Sequence, residues 1–420
     1  MKILWIVNIL FPEAVKLLGG KDDFNSSGGW LLASAATLIK SEVIKLYVLS
    51  VSDKVETFKI LEGKKITYCI IPRCRRMEDY KSYMSQVKEV LCPDIIHIHG
   101  TELPFGMAWV SACSSNNVVV SIQGLISVIA RYYFANLKWW EIMLNITFRD
   151  MLCGTIWSDQ RDFKQRGNCE IEVIKKVRHI IGRTSFDRAH CEAINPIVQY
   201  HFCNETLRPE FYESPRWDYT RCKQHTIFLS QASYPIKALH QVLKALPIVL
   251  KKYHNVQVYI AGRDITCDKT LSDKLRRSGY GKIIKRLIKV NNLESCVHFI
   301  GALNAEQMIH EYLSANLFIC PSCIENSSNS LAEAQILGVP CLASYVGGLM
   351  DMIPNSDCGE LYRFEEVEML AWKICNWFER SAKFDNKNMV NMARQRHDSK
   401  INNQNLINIY YNIYNKMNIQ

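Results

Sequence analysis

Short apolar runs alternate with amphipathic stretches along most of the chain, and this alternation limits the fold more than any other feature. Residues 3–7, 44–49, 66–71, 95–98, 118–122 and 179–181 read as buried strands, with helical patterns over 30–39, 80–91 and 105–114. That order predicts a parallel sheet covered by helices on both faces. The pattern breaks over 205–223, a polar stretch holding Pro209 and Pro215. A second series then begins, with strands at 226–229, 256–261, 297–300, 317–320 and 339–343 and helices at 236–252, 305–314 and 330–337. The expected fold class is α/β: two doubly wound, Rossmann-like domains facing each other across a cleft, with ligands outside the carboxyl ends of the strands. The expected boundaries are 1–205 and 225–395, a connection over 206–224, and a last helix over 396–420 packing back on the first domain.

Composition narrows the partners. Of 420 residues, 48% are hydrophobic and 22% charged, which excludes a largely disordered chain. Lys and Arg number 51 against 41 acidic residues, a net charge of +10 that suits a phosphate-bearing ligand, an anionic lipid surface or nucleic acid. The 16 cysteines are scattered; Cys320 and Cys323 are the closest pair, and no second pair stands at zinc-finger spacing. They read as reduced thiols in a cytosolic protein, used as small apolar fillers. No apolar run approaches the ~18 residues of a membrane span, and the run after Lys2 ends at Asn8, too short for a signal peptide.

The segment from Pro321 to Pro340 is the most informative. It follows a strand, so it lies at a carboxyl end. Its polar run, 326–330, enters a helix for which Ser330 and Glu333 fit a capping box, and Gly338 and Pro340 end that helix. The first backbone amides of such a helix, from Asn329 through Ser330 and Leu331 to Ala332, form an anion site suited to a diphosphate. Glu325 in the loop and Glu333 in the first turn can act on one ligand. The plainer alternative makes Glu333 a capping partner and Glu325 a solvated loop residue.

This segment resembles the signature of the family 4 (group 1) retaining glycosyltransferases, which have the GT-B fold. The matching residues are Pro321-Ser322, Glu325, Glu333-Ala334, Gly338-Val339-Pro340 and Gly347-Gly348. The resemblance implies that Glu325 lies beside the donor sugar, that Glu333 binds the nucleotide ribose and that the amides near Ser330 take the diphosphate. It also implies that Lys237, in Lys237-Ala238, is the phosphate-binding lysine. Gln231 stands where the family usually carries Arg, and Arg263 is either a substitute for that charge or a solvated surface residue. Gly28 and Gly29 match a glycine pair near the donor phosphates; a helix-entry turn is the alternative.

The amino-terminal half matches more loosely. Asp94-Ile-Ile-His97-Ile-His99 resembles a family strand at the cleft edge, with His99 on the acceptor side and His97 structural. Two histidines alone do not make a zinc site. Gln123 stands where the family often has His before Gly124, and Glu205 after Asn204 replaces a family Gly. Asn204 either shapes the cleft or forms a turn. Residues 129–149 combine Arg131, Tyr132, Tyr133, Lys138, Trp139, Trp140 and Arg149. Such a mix suits a membrane surface and a lipid-linked acceptor, or else a core-packed helix with a solvated face.

The resemblance implies a retaining transferase that moves a sugar from a nucleotide diphosphate, a UDP-sugar first, to a saccharide or lipid-linked saccharide in cell-surface polysaccharide assembly. No cofactor and no metal are expected, since the lysine and helix start supply the neutralisation and no Asp-x-Asp motif occurs; no nucleic acid partner is expected, since no such motif accompanies the basic and aromatic residues; and the expected location is cytoplasmic, peripheral at the inner face of the cell membrane through 129–149. A nucleotide-sugar epimerase, a phosphorylase of the same fold, or a weakly catalytic binding subunit are the competing readings.

Overall fold

The structure, a computed structural model, describes residues 1–20 and 29–419. The chain divides into two compact units. The first comprises Met1–Ser127, Gln165–Thr206 and His397–Gln420; the second comprises Val128–Lys164 and Leu207–Arg396.

The first unit is built on an eight-stranded sheet of β1 (Lys2–Ile6), β2 (Lys45–Ser52), β3 (Lys59–Glu62), β4 (Ile66–Pro72), β5 (Ile95–His99), β6 (Val118–Ser121), β7 (His179–Gly182) and β8 (Gln199–Phe202). Their order is β3-β4-β2-β1-β5-β6-β7-β8. Every pairing is parallel except that of β3 with β4. The central strands β2, β1 and β5 are almost wholly buried on both faces, as a sheet covered on both sides requires, and β5 carries His97 and His99 on one of its faces. The helix Ser399–Ile419 returns to this unit. Its Leu406, Ile409, Tyr410 and Ile413 join the core around Ile3, Trp5 and Val48. The Tyr410 hydroxyl accepts from Trp5 Nε1 at 3.0 Å and lies 2.6 Å from His97 Nδ1.

The second unit holds a six-stranded parallel sheet of β9 (Thr226–Leu229), β10 (Gln257–Ile260), β11 (Val297–Phe299), β12 (Leu317–Cys320), β13 (Cys341–Ser344) and β14 (Glu360–Tyr362). Its order, β11-β10-β9-β12-β13-β14, reverses direction between β9 and β12. Right-handed crossovers on either side of such a reversal put their helices on opposite faces. Accordingly Leu239–Leu250, Gly279–Val290 and Val367–Arg380 pack together in one layer, and Pro209–Glu213, Ala305–Ser314, Asn329–Leu337 and Lys387–Arg396 in the other.

Two segments depart from the expected organisation. Residues 128–164 lie within the expected first domain but pack on the second sheet's unit. His240 Nε2 donates to Ala135 O at 2.8 Å, Cys323 Sγ to Tyr132 O at 3.3 Å, and the Gly279 amide to Asp150 Oδ1 at 3.1 Å. The stretch after Leu207 is not a loose connection either. Leu207, Phe211 and Trp217 are buried in the second unit's core, and Trp217 Nε1 donates to Ala315 O at 2.7 Å.

Candidate functional site

Lys237 and Glu325 meet at the carboxyl ends of β9 and β12. After β9 the chain makes a single 3₁₀ turn, Pro235–Lys237, started by the fixed φ of Pro235. Ala238 then takes φ +53° and hands the chain to the helix Leu239–Leu250. This break in the expected 236–252 helix presents Lys237 sideways, and its Nζ lies 2.8 Å from Glu325 Oε2, each side chain 20% exposed. Glu325 is fixed from behind. The Gly348 amide donates to Glu325 O at 3.0 Å, and a Cβ on Gly347, which has φ +52°, would stand 2.0 Å from that oxygen. Burial by itself would lower the Lys237 pKa, but the Glu325 carboxylate more than reverses this, so the ammonium stays charged throughout the neutral range. One of its three donors serves Glu325, and two are available to a ligand.

The neighbouring helix starts earlier than the capping-box pattern indicates. Ser328 is the cap of Asn329–Leu337: its Oγ accepts the Leu331 amide at 3.3 Å and its carbonyl the Ala332 amide at 3.0 Å. Ser330 is therefore a first-turn residue, and its carbonyl accepts the Tyr312 hydroxyl at 2.9 Å. The amides of Asn329 and Ser330 precede the internal ladder, at the positive end of the helix dipole.

Glu333 caps nothing. Arg208 reaches its Oε1 with Nε at 3.1 Å and Nη2 at 2.8 Å, while Oε2 faces the Tyr312 hydroxyl at 3.5 Å. Burial pushes the Glu333 carboxyl above its ordinary pKa, and the Arg208 guanidinium opposes that rise. In the sequence Arg208 stands out only by its place near the domain junction, four residues after Asn204; its pairing with Glu333 leaves no local pattern, because the partner is 125 residues away.

The other donor-side candidates are dispersed. Gln231 is exposed just beyond β9. Arg263 is exposed and lines a cavity formed with the start of Gly279–Val290, in the helix layer opposite that of Glu333. Gly29 is the first residue of the helix Gly29–Leu38, and Gly28 lies outside the described residues.

In the first unit, His99, Gln123 and Asn204 line one cavity of about 40 Å³ together with Arg183. At ~10–15 Å³ per water, this is room for a few waters rather than a sugar ring. Arg183 organises the wall: Nη2 donates to Ile122 O and Gln123 O, both at 2.9 Å, and Nη1 pairs with Glu205 at 2.8 Å. Glu205, a departure from the family pattern, thus balances a buried arginine. His97 is held between Tyr410 and Ser121 Oγ, and burial lowers its pKa to about 3.

Comparison with known proteins bears on this geometry. Residues 218–396 match the family described as glycosyl transferases group 1. An uncharacterized glycosyltransferase of Methanocaldococcus jannaschii is 26% identical over 148 residues, 35% of this chain and 34% of that protein. The chain resembles the group 1 glycosyltransferases. The match spans only about a third of that relative's length. Among solved structures, sucrose-phosphate synthase of Thermosynechococcus elongatus is similar at TM-score 0.65 and 14% identity, with 99% of each chain covered. Anabaena HepE, solved with UDP, is similar at TM-score 0.66 and 14% identity over 98% of this chain and 100% of that one. WaaG, a glycosyltransferase involved in lipopolysaccharide biosynthesis, is similar at 0.57 and 14% over 94% and 98%. These likenesses establish the fold class, GT-B, with its two Rossmann-like units.

The family match contains Lys237, Glu325 and Glu333 and excludes Arg208 and the whole first unit. Among the described residues no group of three or more His, Cys, Asp or Glu is placed to hold a metal ion. No described helix is long and apolar enough to cross a membrane.

Proposed function

We propose that the protein is a retaining glycosyltransferase that uses a UDP-sugar donor. The Lys237–Glu325 pair, 2.8 Å apart at the strand ends beside a helix start, carries this reading. Departure of a nucleoside diphosphate builds negative charge on its phosphate oxygens. The Lys237 ammonium and the amides near Ser330 stabilise that charge more in the transition state than in the ground state. Glu325 orients Lys237 and lies on the sugar side, while Glu333 Oε2 accepts from the ribose hydroxyls and Arg208 holds Oε1. Gln231 adds a neutral donor. His99, Gln123 and Asn204 form the wall behind the acceptor rather than its contact surface, since the cavity they line has room for waters and not for a sugar ring. No metal is required by this scheme, because the lysine and the helix start supply the neutralisation.

The likeness to HepE, solved also with UDP-glucose, supports a uridine donor. The likeness to WaaG, a glycosyltransferase involved in lipopolysaccharide biosynthesis, supports a role in cell-surface polysaccharide assembly. The saccharide or lipid-linked acceptor at the inner face of the membrane is part of the same proposal and rests on no comparison. The test is a donor screen that reads released nucleotide, with Lys237→Ala as control. Release from a UDP-sugar that the variant abolishes supports the proposal; the absence of turnover and of binding for every nucleotide sugar overturns it.

A further inference from the structure

A second feature of the second unit is not used by this chemistry. A cavity of about 250 Å³ is lined by Arg149, Arg263, Arg276 and Arg277, with Tyr234 and Tyr280 among its walls. Four aspartates also line it, but they are directed mainly at the protein itself. Asp150 accepts the Thr147 and Gly279 amides, Asp264 the Thr266 amide and hydroxyl, and Asp273 the Thr270 amide and hydroxyl. Asp159 is hydrogen-bonded to Tyr133. On the basic side, Arg149 lies 3.9 Å from Asp150, and Arg277 reaches Asp268 at 3.4 Å through Nη1 while its buried Nε has no acceptor. Among the described residues, Arg263 and Arg276 make no ion pair, and both are exposed. The four arginines and four aspartates of the lining balance formally, and Arg263 attracts Asp273; what the cavity offers an anion is the guanidinium donors of Arg263 and Arg276, which no carboxylate among the described residues engages directly.

The surface around this cavity is unusual. Two of the elements lining it, Phe148–Cys153 and Leu271–Arg276, pack beside each other. Trp139, Trp140, Leu144, Phe148, Met151 and Leu152 are between 49% and 74% exposed, and Leu271 and Leu275 extend the apolar face. The helix Trp139–Met143 packs beside Gly279–Val290, which carries Lys282, Lys285, Arg286 and Lys289 and no acidic residue. Aromatic and aliphatic side chains flanked by cations match a bilayer with anionic headgroups.

We propose that this face lies on the membrane and that the arginine-lined cavity takes the phosphate of a membrane-anchored lipid. Arginine suits this role because its planar fork binds phosphate oxygens in pairs. That the bound lipid is the sugar acceptor rests on the transferase reading above; the phosphate site does not.

The test is co-sedimentation with phosphatidylcholine vesicles, with and without phosphatidic acid. The wild type is expected to bind the mixed vesicles and not the neutral ones. Arg263→Ala/Arg276→Ala is expected to weaken binding by about tenfold or more, since it removes two phosphate donors. Arg73→Ala/Arg75→Ala removes the same charge from the exposed surface of the first unit and is expected to change it less than about twofold. Trp139→Ser/Trp140→Ser is expected to weaken binding as well, and unfolding by circular dichroism checks that each variant folds. Arg263→Gln, a milder change, stands in should the double variant unfold. Equal losses in the two arginine doubles would mean diffuse attraction and overturn the cavity's role. Inorganic phosphate that binds wild type and is not displaced by the vesicles would make this a free-phosphate site and overturn the lipid. UDP binding, measured on the same proteins, decides the transferase reading separately: its absence would leave the vesicle result standing.

Discussion

Lys237 Nζ and Glu325 Oε2 stand 2.8 Å apart although 88 residues separate them in the chain. The pair neutralises itself before any ligand arrives, so neither charge is left buried and uncompensated. Under the proposed function, a diphosphate would take charge-assisted bonds from the lysine's remaining donors without any need for Glu325 to leave.

Lys237→Ala is therefore expected to lower kcat by ~10²-fold or more, as loss of a group stabilising leaving-group charge does. Because the Lys237 pKa is raised, its charge is constant from pH 6 to 9, and no alkaline limb in that range should come from it. Steady-state nucleotide release in wild type and variant checks both points; near-normal turnover in the folded variant would remove Lys237 from the mechanism.

The two glutamates are expected to separate kinetically. Glu333→Gln should raise the donor KM, because the proposed ribose contact would be made equally in ground and transition states. Glu325→Gln should mainly lower kcat, since Glu325 holds Lys237 and the proposed function puts it on the sugar side. The Glu333 carboxyl has a raised pKa, so its charge destabilises the fold once pH rises above the unfolded value of ~4.3. Glu333→Gln should nevertheless cost donor affinity at pH 7, and Tm should fall rather than rise, because the part-buried Arg208 guanidinium loses its carboxylate partner. A reversed kinetic pattern would show the assignment of the pair to be wrong.

Gly347→Ala tests how Glu325 is held. The added Cβ would stand 2.0 Å from Glu325 O, and the position has φ +52°, so the loop has to shift. The expectation is a fall in kcat of ~10-fold or more from misplacement of Glu325. A variant as active as wild type would mean that the glycine pair does not position the catalytic loop.

The strand–helix alternation made both sheets legible, because their central strands are apolar runs bounded by turns. What it missed was polar or distant. β3 and β8 are edge strands whose residues are all exposed or half-buried, with no alternation, so periodicity gives them little contrast. The 128–164 excursion was hidden because nothing local says which sheet an amphipathic segment covers. Glu325, Glu333 and Lys237 were legible through the resemblance, whereas Arg208 was not, since an ion pair across 125 residues leaves no local pattern. The cap moved from Ser330 to Ser328 because several serines and asparagines in 326–330 are all competent caps, and only packing selects one.

The last prediction concerns acid stability. His97 has its Nδ1 2.6 Å from the Tyr410 hydroxyl and its Nε2 2.6 Å from Ser121 Oγ, beside His99 and Trp5. Burial lowers its pKa to about 3, and burial with the neighbouring His97 lowers that of His99 well below the usual range. In the unfolded chain both titrate near ~6.5. A depressed folded pKa gives stability that is complete above the unfolded pKa and is lost as pH falls through it toward the folded value. The window is therefore from pH 6.5 down to about 3 for His97. Each such histidine removes up to ~1.4 kcal/mol per pH unit in that range. Urea midpoints at pH 7.5 and pH 5 should differ in wild type, and His97→Gln should reduce the difference even if it lowers both midpoints. Comparing the two pH values within each protein cancels the cost of the substitution itself. Midpoints in wild type that do not move between pH 7.5 and 5 would mean that these histidines are not held neutral against the core.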